Sequence, residues 1–194
     1  MLEKALRWLR KRVTWRVALL LFGVQTVATM IVSAGWAPQL RVLGDHLLID
    51  MMFAYSADDL YRTLGAYGED GRAAYAAYLT QIDFLYGTLS GLAFAAVLLA
   101  VSRSLRRLSG LFLVLALLPM LMTIFDYGED LTLLAILGQF PEFVIPLASL
   151  ASLLTSVKLI LVYASIASMI VGIGLVLTQE LGKAKVKRQK VEGS

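Results

Sequence analysis

The sequence predicts an all-α fold: a four-helix transmembrane bundle with a short amphipathic extracytoplasmic helical segment between helices 1 and 2. Three observations predict it. Four apolar stretches, 15–36, 79–102, 109–138 and 147–177, reach the length of about 20 residues that a bilayer crossing requires. The composition, 59% hydrophobic and only 16% charged over 194 residues, is that of a membrane protein rather than of a water-soluble domain. The basic residues gather at the ends of the apolar stretches, as they do in multi-pass proteins. Residues 1–194 therefore read as one membrane domain.

The first span follows a basic stretch and resembles a signal peptide. It is too long and lacks a small-residue cleavage site, so it reads as a retained helix. Segment 37–78 is the only sizeable stretch outside the membrane, and its capping signals predict order. Ser56 followed by Asp59 forms a capping-box start, and Asp58 and Asp59 sit in the first turn, where the helix dipole favours anions. The helix runs from Ala57 to about Tyr67; Gly65 weakens its last turn and Gly68 suits a left-handed C-terminal position. Gly71 marks another break before Arg72 opens the approach to the second span. Leu60, Leu64 and Tyr67 share one face, which suits a cap on the bundle. Tyr55, Tyr61, Tyr67, Tyr75 and Tyr78 read as an aromatic belt at the headgroups.

Each span then carries a polar face. In the second, Ala76, Thr80, Asp83, Gly87 and Ser90 align if the helix begins near Arg72. The third continues past Asp126 as one long helix, kinked at Pro119, and Asp126, Glu129 and Asp130 project from a similar side. In the fourth, Ala151, Thr155, Lys158, Val162, Ser165 and Gly172 form a stripe of small and polar residues that permits close helix contact. The first adds Gln25 or Thr26, Thr29 and Ser33. Four polar faces make a bundle interior.

The charges set the orientation. Lys4, Arg7, Arg10, Lys11, Arg12 and Arg16 precede or open the first span; Arg103, Arg106 and Arg107 separate the second from the third. Lys183, Lys185, Lys187, Arg188 and Lys190 lie in the basic tail, 179–194. The positive-inside rule puts both termini and the 103–109 connection in the cytoplasm, in keeping with a bacterial inner membrane. The opposite side is acidic, with Asp45, Asp50, Asp58, Asp59, Glu69, Asp70 and Glu142. A pI near 9.4 suggests nucleic acid at first sight. The basic residues flank membrane spans with no interleaved aromatic surface, so they read as topology and anionic-lipid contacts. With no cysteine and a single histidine, His46, the chain offers no thiol chemistry and no metal or haem set, and no cofactor is expected.

Lys158 is the residue that most demands explanation, because it stands alone inside an apolar run. A lysine at the centre of a membrane helix costs about 2.5–3.5 kcal/mol on insertion scales, so such groups face a bundle interior and mark a site. Counted at about 1.5 Å per residue from the expected helix ends, Glu129 and Lys158 both lie roughly 15 Å inward, and Asp83 falls near the same layer. The candidate ligand- or ion-binding residues are Lys158, Asp126, Glu129, Asp83, Asp130 and Arg72, with Tyr86, Tyr78 and Thr155 as secondary members. Three or four carboxylates facing one ammonium cannot all stay ionised in a low-dielectric interior, so the layer takes up protons or another cation. The plainer reading is a structural ion pair that sets helix register.

The stretch from Asp50 to Gly65, then Gly71 with Arg72, Asp83 with Tyr86, and Asp126 with Glu129, resembles a family of uncharacterised bacterial four-pass membrane proteins. The resemblance covers roughly Asp50 to Lys158 and implies the fold, with Asp83, Asp126 and Glu129 well inside the helices. It implies no activity. Asp130 stands where the family pattern has Asn.

Three functions compete on this basis. In the first, the charged layer binds a small polar or amphiphilic ligand, a cation or protons, with Arg72 and the tyrosines forming its mouth. In the second, the protein is a non-catalytic accessory or assembly subunit that docks against a larger membrane complex, whereas a transporter of this length would need to form a homo-oligomer. In the third, it is an intramembrane acid–base enzyme acting on a lipid. No nucleophile–base pair, phosphate-cradling loop or metal set supports catalysis.

Overall fold

The computed structural model describes residues 8–40, 48–105 and 107–192. The expectations for Lys4, Arg7, Asp45, His46 and Arg106 lie outside the described residues. The architecture is all-helical, and four segments are long and apolar enough to cross a bilayer: Trp15–Trp36, Gly68–Ser104, Ser109–Gln139 and Ile145–Lys185. The chain is a multi-pass membrane protein.

Helix α1 (Trp15–Leu40) is the peripheral member. Its main partner is the second span, and large apolar side chains such as Leu19, Leu20, Val24, Met30 and Ile31 stay exposed around it. In water that would be untenable; in lipid it is the expected surface of a spanning helix. Only 11% of its most apolar stretch is buried, against 61% for Gly68–Ser104, which makes the second span the centre of the bundle.

Helix α2 (Ala57–Ala66) starts at the expected capping box: Asp59 N donates to Ser56 Oγ at 3.1 Å and Ser56 N donates to Asp59 Oδ2 at 3.2 Å. The Ser56 hydroxyl, which donates to Asp59 Oδ2 at 2.6 Å, and then the Ser56 N–H hold the Asp59 carboxyl below its ordinary pKa. Replacing Ser56 with alanine is expected to cost about 1 kcal/mol. Amide exchange in α2 should quicken while the spans stay protected, and unchanged exchange there would remove the cap's role. Leu60 and Leu64 are buried beneath α2, each contributing about 1.5–3 kcal/mol because this part of the chain folds out of water.

Gly68 adopts the expected left-handed backbone, with φ of 67°. Two expectations fail directly after it. Gly71 does not break the chain; it is buried inside helix α3 (Gly68–Tyr78). That helix passes through a π-helical turn, Leu79–Asp83, into α4 (Phe84–Ser104), so the helix that carries the second span begins at Gly68 rather than near Arg72. The wider turn also shifts the register. Leu79 takes the buried position and Thr80 is exposed, so the polar face expected through Thr80 starts only at Asp83.

The third span is broken rather than kinked, into α5 (Ser109–Leu115) and α6 (Leu118–Gln139). Pro119 lacks an N–H and its ring would strike the carbonyl one turn back, so the helix stops and restarts with Pro119 in its first turn. The fourth span belongs to α7 (Ile145–Glu192), which continues as helix through the basic tail.

Two apolar clusters hold the bundle. One lies at the cap end, around Ile49, Leu60, Leu64, Tyr75, Leu133 and Ile136. The other lies at the basic end, around Leu98, Val101, Phe112 and Met169. There Arg10 bonds Ser109, Arg103 donates to the Lys11 carbonyl at 2.9 Å and Trp15 donates to Ser104 at 2.9 Å. The polar layer is confined between the two clusters.

The tyrosines do not form a headgroup belt. Tyr55, Tyr61, Tyr67, Tyr75 and Tyr78 are all buried, because the cap folds back over the helix ends and takes their rings into its own core. Tyr61 packs on Phe143 with ring centroids 4.3 Å apart, and its hydroxyl accepts from Val144 N at 2.8 Å. Burial raises the phenol pKa of Tyr55 and of Tyr67 above the ordinary value, so both remain neutral hydrogen-bonding groups.

Candidate functional site: a charged layer beside a cavity

The interface between α6 and α7 is the most extensive in the bundle, and Lys158 lies within it. Its side chain is buried, with Nζ 2.5 Å from Glu129 Oε2 and 3.3 Å from Asp126 Oδ1. Glu129 is fully buried. Its second oxygen, Oε1, accepts from Thr155 Oγ1 at 2.6 Å, and the same hydroxyl also lies 2.9 Å from the Ala151 carbonyl. Thr155 has one proton, which it gives to these acceptors, so the Tyr55 phenol 3.2 Å away is the donor to Thr155. A chain Tyr55, Thr155, Glu129, Lys158, Asp126 thus runs from the cap into the membrane interior.

Glycine makes the approach of Asp126 possible. A Cβ on Gly87 of α4 would overlap the Asp126 carboxylate, so α4 and α6 meet only because that position has no side chain. One turn deeper, a Cβ on Gly91 would strike Thr123. Asp83 is buried where the π-helical turn ends; its Oδ1 lies 3.5 Å from the Tyr78 hydroxyl, and no donor among the described residues reaches Oδ2. Asp130 is fully buried, and neither carboxyl oxygen has a hydrogen-bond partner among the described residues.

Asp50 is the residue that sequence reasoning missed. It was assigned to the acidic outer surface, yet it lies buried in a 3-10 turn, Ile49–Met51, with Oδ1 accepting from Tyr75 at 2.9 Å. A signal existed: Asp50 is the lone charge in the apolar run 48–53, the same pattern that singled out Lys158. Arg72 is not brought to the layer. Its guanidinium donates to the Leu64 carbonyl at 3.1 Å and stacks 4.1 Å from the Phe140 ring centroid, so it closes the C-terminal end of α2 within the cap.

Beside the layer lies a cavity of about 440 Å³. It occupies the gap between α1 and α7, which share no extended interface, and is backed by α4 and α6. Asp50, Asp83, Asp126 and Lys158 line its cap side; Phe94, Met122, Val162 and Ile166 line it toward the basic end. Tyr78 and Tyr86 reach it, and the Tyr86 hydroxyl lies 3.2 Å from Thr29 Oγ1. Glu129, Asp130, Thr155 and Arg72 do not line it. Among the described residues, no three acidic or histidine side chains converge as a metal site would require. No protein-family profile, curated protein or solved structure matches the chain.

Proposed function

We propose that this is an integral membrane protein whose charged layer binds a small cationic or amphiphilic ligand from the extracytoplasmic half of the membrane. The observation that carries the reading is the division of labour among the charges. Lys158 is in contact with Glu129 and Asp126, while Asp50 and Asp83 line the cavity with no cation in contact among the described residues. Five buried carboxyl groups stand against one ammonium among the described residues, and such an excess in a low-dielectric interior is relieved by a bound cation or by protons. The cavity volume falls within the range of about 300–1,000 Å³ of small-molecule sites, and its apolar end suits the hydrocarbon part of an amphiphile. On this reading the Lys158–Glu129 pair holds α7 against α6, and Asp50, Asp83 and Asp126 supply the attraction.

Octyltrimethylammonium and octyl sulfate, which share a tail and differ in the sign of the head, test the proposal. Titrated onto the full chain in nanodiscs, the ammonium is expected to raise the unfolding temperature saturably and the sulfate to leave it unchanged. Asp83→Asn should weaken the ammonium response about tenfold, the loss expected for one ionic contact out of water. Equal responses to both heads, or none to either, would overturn the reading.

A further inference from the structure

Helix α7 outruns the bundle. Gly172 fits against Val101 and Phe112, close to where α4 ends at Ser104, and Val176 is the last α7 residue in the basic-end cluster. Residues 177–192 continue beyond it as helix for about 24 Å, and their described side chains are all exposed. A lone helix of that length is marginal in water. One face of it is nevertheless apolar. Leu177, Leu181, Ala184, Arg188 and Val191 recur at alternating spacings of four and three, the period of a left-handed coiled coil, with one charge among four apolar residues. Leu181 is 63% and Val191 72% exposed. The same phase runs back into the span through Ile160, Tyr163 and Ile170, all exposed on the side of α7 turned away from Lys158. Lipid can cover the seam inside the bilayer, but not where α7 has left it. Even within the span the Tyr163 hydroxyl has no hydrogen-bond partner among the described residues.

The charges beside the seam select its occupant. In a parallel, in-register pair of helices, the residue just before one seam position faces the residue five places further along on the partner. Glu180 then faces Lys185 of a second copy, and the sequence repeats the arrangement with the signs exchanged at Lys187 and Glu192. Two copies in one membrane share one topology, so parallel is the orientation they must take. Glu180 already bonds Lys183 in its own helix at 2.6 Å, and an exposed carboxylate can accept from both cations.

We infer that the outer face of α7 pairs with the same face of a second copy of this chain, as a parallel coiled coil that begins in the membrane and continues beyond it. The contact is two-fold, so Tyr163 meets its own counterpart and one phenol can donate to the other. Arg188, the one charge on the seam, costs stability but discourages other registers. The inference does not depend on the ligand-binding reading, because the seam lies on the face of α7 opposite Lys158.

The chain has no cysteine, so single thiols can be placed on α7 without background. With the full chain in anionic liposomes under mild oxidation, Leu181→Cys and Ala184→Cys are expected to cross-link into a dimer about tenfold faster than Gln179→Cys, which lies across the helix from the seam. Energy transfer between differently labelled copies gives the dimer affinity as lipid dilutes the protein. Glu180→Lys should weaken that affinity about fivefold, and Lys185→Glu in the same chain should restore it. Cross-linking at Leu181→Cys no faster than at Gln179→Cys would overturn the seam, and an unchanged affinity in Glu180→Lys would overturn the parallel register. A monomer whose Leu181→Cys thiol is shielded from a water-soluble maleimide only on anionic vesicles would assign this face to the membrane surface and overturn the pairing.

Discussion

Lys158→Met is expected to destabilise the bundle by about 3–5 kcal/mol, the cost of leaving a buried ionic partner unpaired. Methionine keeps the length and apolar stem of lysine, so the loss reports the ammonium and not a cavity. Glu129 would keep only the Thr155 bond, and Asp126 would lose its cation. Glu129→Gln in the same chain should recover part of the loss, because an amide can still accept from Thr155 without carrying a charge. Reversible unfolding of the two single variants and the double variant, analysed as a cycle, gives the coupling directly. A wild-type midpoint for Lys158→Met would mean that the ammonium contributes nothing to the fold.

Gly87→Ala is expected to cost about 1–3 kcal/mol, although alanine is ordinarily the better helix residue. The new methyl would overlap the Asp126 carboxylate, which must then leave its place beside Lys158 or force α4 away from α6. The variant should also weaken ammonium binding, since Asp126 lines the cavity. Gly128→Ala is the internal control. There the added Cβ meets only Leu154 at 3.5 Å, an ordinary contact, so stability should hold or rise slightly. Removing the obstructing carboxylate in Gly87→Ala with Asp126→Ala should relieve the packing part of the loss. Equal midpoints for the Gly87 and Gly128 variants would show that the close approach of α4 to α6 is unimportant.

The spans were legible because bilayer thickness and apolar length are coupled, and no tertiary contact is needed to see that coupling. Lys158 could be placed inside the bundle for the same reason: an ammonium cannot face hydrocarbon at low cost, whatever its neighbours. The helix faces were also legible. Thr155, Lys158 and Ser165 on one helix, and Asp126, Glu129 and Asp130 on another, are all buried, as their shared periodicity requires.

Helix ends were less legible. Counting depth from residue 147 and from Arg72 assumes helix starts that the structure moves to Ile145 and Gly68. The charged groups of α6 and α7 meet because their faces are matched, not because those counts were right. The π-helical turn was invisible for a related reason. Its extra residue is a property of how Leu79 and Asp83 fit their neighbours, and no residue type encodes it.

By itself, the sequence determined the all-helical class, the four spans, the inward direction of Lys158 and the absence of cysteine chemistry. Those follow from solvent transfer and helical period, which act residue by residue. Only the tertiary structure decided which carboxylates touch the ammonium, that Asp50 enters the layer, that the tyrosines pack inward and that Arg72 closes the cap. Those depend on how the cap folds over the helix ends and on how close α4, α6 and α7 can come. Such distances are set by packing between segments remote in the chain, where a single glycine opposite Asp126 decides what fits.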